Sequence, residues 1–229
     1  MSVFPVQETG DGEWISVADL MSGLMLVFLM IAVLFMLQIR STAVLYDDLR
    51  SGLFEALQSE FSGDLDHWNA EIDPTTLAFR FREPEIFFEA GKTTLREPFK
   101  VILEDFFPRY TGVLTGESYR NHIEEVRIEG HTSSEWEGED GDSFEAYWQN
   151  MALSQGRTLE VLRFVAVLPG VVEKWDSWLR ERVTANGLSS SKVILLSDRE
   201  EDRRASRRVE FRVRTDAEEQ MILIRNMVR

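Results

Sequence analysis

Residues 15–39 read ISVADLMSGLMLVFLMIAVLFMLQI, and this stretch decides how the chain is organised. Its only ionisable side chain is Asp19. A helix of this length, at about 1.5 Å per residue, exceeds the roughly 30 Å hydrocarbon core of a bilayer. No basic residue precedes the stretch and no small-residue cleavage site follows it, which disfavours a cleaved signal peptide. The sequence therefore predicts one transmembrane helix over 15–39, preceded by a short tail over 1–14.

The carboxylate of Asp19 needs an explanation, because an acid near the centre of a membrane helix costs about 2.5–3.5 kcal/mol on insertion scales. One interpretation is that the side chain reaches the headgroups, since it lies only four residues into the stretch. The other is a site between helices, because small, polar and apolar residues recur on one face at intervals of three and four. The members of this face are Ser16, Asp19, Gly23, Leu26, Met30, Val33 and Leu37.

The composition excludes several classes of protein. The 229 residues carry 25 Lys and Arg against 40 Asp and Glu, a formal charge of −15, which disfavours nucleic-acid binding. The absence of cysteine excludes disulfides, thiolate metal sites and a cysteine nucleophile. The sequence G-K-T at 91–93 lacks the glycine of a phosphate-binding loop five positions earlier, and the three histidines are widely separated. We therefore expect no enzyme, no cofactor and no metal site.

A second apolar pattern follows the membrane stretch over residues 40–63. Its members lie four residues apart between charged residues, namely Leu45, Leu49, Leu53, Leu57 and Phe61. This spacing predicts an amphipathic helix that continues out of the membrane. Its apolar face either packs on the chain's own globular domain or pairs with a second copy as a linker or plug segment. Ser62-Gly63 then separates this helix from a domain over 64–229.

The domain over 64–229 has a mixed α and β pattern. Alternating apolar residues predict strands over 77–81, 126–129 and 208–214, and helical spacing predicts helices over 98–110, 154–168 and 171–185. Strands interleaved with helices around one small sheet suggest an α/β sandwich. The predicted fold class is α+β, with one N-terminal transmembrane helix, an amphipathic linker helix and this sandwich.

The membrane stretch resembles a known signature. Trp14 followed by V-A-D-L-M-S-G-L-M at 17–25 is similar to the W…A-D-[FL]-M-[ST]-x-L-M signature of the B subunits of ion-driven stator motors, the MotB-like family. The resemblance implies that Asp19 carries the driving ion, with Ser22 beside it. It also implies a homodimer inside a ring of five multi-span A subunits of the MotA or ZorA type. The implied driving ion is a proton, with sodium as the alternative.

The outer domain carries a second resemblance. I-E-G-H-T at 128–132, N-x-x-L-S-x-x-R at 150–157 and R-x-x-S-R-R-V-E at 203–210 resemble the three motifs of the OmpA-like peptidoglycan-binding domain. In that family the arginine of the second motif holds a carboxylate of the diaminopimelate in the wall peptide, a task suited to a planar guanidinium. The resemblance assigns this role to Arg157. It places Asn150, Leu153, His131, Thr132 and Ser133 around the same pocket.

The chain departs from the OmpA-like pattern in the third motif, where Asp202 and Ser206 stand for Gly and Asn, and at two places nearer the expected pocket. The first motif ends in an acid in the family, expected to meet the ammonium of the same ligand, and Ser133 stands there instead. An acidic insertion follows before Asn150, and its acids are Glu135, Glu137, Glu139, Asp140, Asp142 and Glu145. This insertion either supplies a substitute acid or forms a solvated loop; it lacks the loop pattern of a calcium site.

The short acidic leader, the A-D-L-M-S-G-L-M variant and the insertion make the chain most similar, within the stator family, to the B subunits of Zorya anti-phage defence systems. A flagellar stator subunit and a passive membrane-tethered wall anchor are the alternatives. The resemblance implies an inner-membrane protein whose C-terminal domain lies in the periplasm. Arg40 and Arg50 beyond the membrane stretch favour the opposite orientation when read alone. We predict the orientation that the resemblance implies, with the C-terminal domain in the periplasm.

Overall fold

The structure is a computed structural model that describes residues 11–82, 87–89, 91–136, 143–216 and 218. The first part of the predicted tail and residues 137–142 of the acidic insertion lie outside this set. Helix α1, Asp11–Phe61, contains the predicted membrane helix and all but the last two residues of the predicted linker helix. Within the described residues it is the one helix long and apolar enough to cross a membrane, with a mean hydropathy of 2.8 in its most apolar window. That window is not covered by other parts of the chain.

In the part of the chain that the structure describes, five strands form one sheet, and its strand order is β1-β2-β5-β3-β4. The strands are β1 Ala70–Ile72, β2 Ala78–Arg82, β3 Ile123–His131, β4 Val183–Gly187 and β5 Arg208–Thr215. Neighbours pair antiparallel except β3 and β4, which are parallel. A parallel pair needs a crossover connection, and two helices between β3 and β4 supply it.

Four helices follow α1 within the described ranges. They are α2 Glu97–Leu114, α3 Phe144–Ala166, α4 Pro169–Arg182 and the single turn α5 Arg203–Ser206. Apolar residues of the sheet's inner face, including Phe79, Phe81 and Phe211, are fully buried together with Phe106 and Tyr110 of α2. The predicted helix over 171–185 is too long by three residues. Val183 and the two residues after it belong to β4, because they pair with Val126, Arg127 and Ile128 of β3.

Helix α3 begins ten residues before the predicted helix. The side chain of Ser143 accepts a hydrogen bond from the backbone N–H of Ala146 and so caps the helix N-terminus. The first turns of α3 carry Phe144 and Trp148 on an exposed face, which interrupts the apolar periodicity there. This extension brings Asn150 onto the same helix as Arg157.

The end of α1 belongs to the core of the outer domain. Leu53, Leu57 and Phe61 have no exposed surface and pack in the same apolar cluster as the sheet. Arg109 of α2 lies over the Phe61 ring and donates from Nε to Glu60 Oε1 at 2.7 Å. The C-terminal part of the predicted linker stripe therefore packs on the chain's own domain.

Candidate functional site

The candidate site forms where the C-terminal ends of β3 and β4 meet helix α3. A Cβ added at Gly130 would lie 2.8 Å from the carbonyl oxygen of Ser154, and one at Gly187 would lie 2.4 Å from the backbone nitrogen of Gln155. Only glycine permits such close contact between strand and helix. The two glycines thus set the distance between the strand ends and the helix that carries Asn150 and Arg157.

Arg157 is half-buried and faces the segment that precedes α2. Its Nε donates to the Lys92 carbonyl oxygen at 3.0 Å, and its Nη2 lies 3.5 Å from the Glu89 carbonyl oxygen. The guanidinium carbon lies 4.9 Å from the centre of the Phe88 ring, a cation–π arrangement. These contacts hold the guanidinium in one orientation at the surface of the domain.

Asn150 is buried on α3, and its Nδ2 donates to the Glu135 carbonyl oxygen at 3.2 Å. This bond fixes the segment after β3 against the helix. Thr132 and Ser133 are buried in that segment, and the Thr132 backbone N–H donates to the Ser189 carbonyl oxygen at 3.0 Å. Leu153 is half-buried one turn after Asn150. The structure therefore places Asn150, Thr132 and Ser133 where β3 ends beside α3. Leu153 and Arg157 follow one and two turns later on the same helix.

His131 is the exception, because its side chain points to the other face of the sheet. Gly130 faces α3, and successive residues of a strand point to opposite faces. His131 pairs with Arg208 of β5 in the sheet register and shares that face with it. His131 is thus the last residue of β3, with its side chain on the sheet face opposite α3, and its predicted role in wall binding stays a prediction.

His131 belongs to a buried polar cluster with Glu129 and Glu210. Its Nε2 lies 3.7 Å from Glu129 Oε2, and within the described ranges neither ring nitrogen has a hydrogen-bond partner. Burial lowers the pKa of His131 below its ordinary value of 6.5, with the Arg208 guanidinium acting in the same direction and Glu129 opposing. We infer that the imidazole is neutral in the folded protein.

Glu210 is held by two guanidinium groups. Its Oε1 accepts from Arg208 Nε at 2.6 Å and from Arg80 Nε at 2.7 Å. Burial acts to raise the pKa of Glu210, but the two arginines outweigh it and the pKa is lowered overall. The cluster carries compensated charges and ties β2, β5 and β3 together.

Glu201 is a polar residue at this end of the sheet that the sequence motifs do not predict. Its carboxylate accepts from the Ser134 backbone N–H, at 3.1 Å to Oε1, and from the Ser134 hydroxyl. Arg203 Nη1 lies 3.4 Å from Glu135 Oε2 and forms a second link between the same two segments. Glu201 and Ser134 are separated by 67 residues, and no local pattern reports a contact at that separation.

In the membrane stretch, Asp19 is exposed on α1, as are its neighbours. Ser22 Oγ donates to the Ala18 carbonyl oxygen at 2.8 Å, within the helix. Met21, Ser22, Met25 and Phe28 lie along one side of the helix around a shallow depression. The predicted roles of Asp19 and Ser22 stay predictions, as do those of Arg157, Asn150, Leu153, Thr132 and Ser133.

Comparison with known proteins identifies a relative that is similar over almost the whole chain. The chain is 43% identical over 224 residues to the Zorya protein ZorB of Escherichia coli, covering 95% of this chain and 94% of that protein. Among solved structures, a MotB-like protein from Desulfovibrio vulgaris matches with a TM-score of 0.50 at 18% identity, covering 78% of this chain and 96% of that one. The cell wall anchor of the T6SS from Pseudomonas aeruginosa matches at a TM-score of 0.46 and 20% identity, over 70% and 97% of the two chains.

No family model matches the chain. The MotB-like structure shares its fold with this chain. The predicted fold class, an apolar N-terminal helix followed by a mixed helix and sheet domain, is confirmed.

Proposed function

Since this chain belongs to the family of the Zorya protein ZorB, we propose that it is the B subunit of an ion-driven inner-membrane motor in anti-phage defence. The observation that carries the proposal is the extent of the similarity, which covers 95% of the chain and so includes both α1 and the outer domain. A passive anchor needs only the domain and a tether. The conversion of ion flow into force needs the membrane carboxylate as well.

In this proposal Asp19 takes up and releases the driving ion. We propose the proton as that ion, with sodium as the alternative. Each charge that crosses the membrane is worth about 2.3 kcal/mol per 100 mV. Asp19 lies on a helix face that the chain itself leaves uncovered, which suits packing against partner helices. We propose that these partners are a second copy of this chain and a ring of five multi-span A subunits of the ZorA type.

The outer domain is proposed to lie in the periplasm and to bind peptidoglycan. Arg157 supports this role because its guanidinium is oriented at the surface by Lys92, Glu89 and Phe88. A planar guanidinium binds a carboxylate through two parallel hydrogen bonds. Asn150 holds the neighbouring segment in place through Glu135. The wall then resists the torque that ion flow produces, and no enzymatic step is involved.

The first test is phage plaquing on cells that carry the native gene cluster. We expect Asp19→Asn to abolish protection at matched protein levels, because the amide cannot release a proton. Ser41→Ala is the matched control, since this exposed serine lies beyond the predicted membrane span and should retain protection. Full protection with Asp19→Asn would contradict the motor role and indicate that the protein acts as a passive anchor.

The second test is co-sedimentation of the full chain in detergent with purified sacculi. We expect Arg157→Ala to weaken binding by roughly tenfold or more, as loss of a charge-assisted bidentate contact implies. The control is Arg163→Ala on the same helix, whose exposed side chain pairs with Glu160. Equal binding of both variants and the wild type would contradict wall binding through Arg157.

A further inference from the structure

We propose that Glu201 supplies the acid that meets the ammonium group of the wall peptide. It would replace the acid that ends the first OmpA-like motif, where this chain has Ser133. This inference rests on the proposed function, because it takes wall-peptide binding through Arg157 as given. It adds a second charged contact and hence a preference for a zwitterionic amino acid.

The chemistry of the ligand requires such a contact. A diamino acid with a free amino end presents an ammonium group as well as a carboxylate. Arg157 can satisfy only the carboxylate. An ammonium group that loses water without gaining an acidic partner weakens binding, so a site selective for this ligand needs a carboxylate near the strand end.

The position of Glu201 meets this requirement. Its carboxylate lies against the backbone and hydroxyl of Ser134, the residue next to Ser133. Glu201 is half-buried, and Ser134 uses only part of the acceptor capacity of the two oxygens. The bridge between Leu195 and Glu201 fixes the backbone there. The carboxylate is thus held in place at the surface with room for a further donor.

Helix α3 links this carboxylate to Arg157. Asn150 contacts the segment that contains Ser134 through the Glu135 carbonyl oxygen. Arg157 lies seven residues later, about 10 Å along the helix axis.

Three other acids in the described part of this region are less suitable. Glu135 is paired with Arg203. Glu129 lies on the opposite face of the sheet, beside His131. Glu200 is exposed and precedes Glu201 directly, which makes it a matched control.

The experiment measures binding of the full chain in detergent to two preparations of sacculi, native and with the free amines acetylated. We expect the wild type and Glu200→Gln to bind native sacculi at least tenfold more tightly than acetylated sacculi. Glu201→Gln should bind native sacculi about as weakly as the wild type binds acetylated ones, with no further loss on acetylation. Ser133→Asp in the Glu201→Gln background should restore the preference for free amines.

Two results would overturn the proposal. One is unchanged binding of native sacculi by Glu201→Gln. The other is an equal loss on both preparations, which would mean that Glu201 only holds the Ser134 segment in place. If Arg157→Ala binds as the wild type does, or the wild type does not sediment, the proposed wall binding itself fails and the inference falls with it. Thermal unfolding followed by circular dichroism verifies that each variant is folded.

Discussion

Gly130 and His131 are neighbours in the chain and have opposite environments. Gly130 lies under α3, where a side chain would collide with Ser154. His131 lies on the other face among Glu129, Glu210 and Arg208. The motif that carries both residues thus has two functions in the fold: close packing with the helix on one face and a buried polar cluster on the other.

The buried imidazole predicts a pH dependence of stability. The pKa of His131 is lowered in the folded protein, so its neutral form stabilises the fold above the unfolded-state pKa of about 6.5. This contribution is lost as the pH falls from that value toward the lower folded-state pKa, because the unfolded chain takes up the proton first. We expect His131→Gln to lose less thermal stability than the wild type over this window.

The measurement is thermal unfolding of the full chain in detergent, followed by circular dichroism across that pH window. His67→Gln is the control, since His67 is exposed and should follow the wild type. An identical pH profile for His131→Gln and the wild type would contradict a neutral, buried His131.

At the scale of elements, the contact between β3 and α3 positions the candidate site. Sequence periodicity predicts both elements, because it needs only local order. It does not predict their separation, which depends on two glycines meeting a helix backbone. Sequence periodicity also places the start of α3 ten residues too late. Ser143 caps the helix there, but the exposed aromatic residues Phe144 and Trp148 interrupt the apolar pattern of its first turns.

Two glycine substitutions should have opposite effects on stability, because Gly130 lies in this contact and Gly112 lies outside it. Gly130→Ala places a Cβ 2.8 Å from both the Ser154 carbonyl oxygen and Thr158 Cγ2, and we expect destabilisation of about 1–3 kcal/mol from overpacking. Gly112→Ala lies inside α2 with nothing within 4 Å of the new Cβ. It should stabilise by about 0.5–1 kcal/mol. Thermal unfolding of the two variants compares them directly, and equal melting temperatures would contradict the packing described here.

At the scale of the whole molecule, one helix joins the membrane stretch to the core of the outer domain. Leu53, Leu57 and Phe61 of α1 are fully buried in that core. Arg50 Nη1 also donates to the Pro74 carbonyl oxygen at 2.6 Å. A force acting on the domain would therefore reach the apolar part of α1 through continuous helix and packed side chains.

This continuity predicts where the outer domain can be cut. A fragment that begins at residue 64 lacks three buried side chains of α1, each worth about 2–5 kcal/mol, against a typical total stability of about 5–15 kcal/mol. We expect this fragment to lack a cooperative thermal transition, and one that begins at residue 44 to unfold cooperatively. Near-ultraviolet circular dichroism on heating distinguishes them. Equal cooperative transitions would show that the end of α1 is dispensable.

The sequence by itself determined the apolar membrane stretch with Asp19, the alternating strands and the three motifs of the outer domain, because each is a pattern of nearby residues. Only the tertiary structure decided that His131 faces away from Arg157, that Glu201 meets Ser134 and that the end of α1 is buried in the core. These features depend on sheet register and on contacts between distant segments. Chain folding brings such segments together through burial and pairing, which local periodicity does not encode.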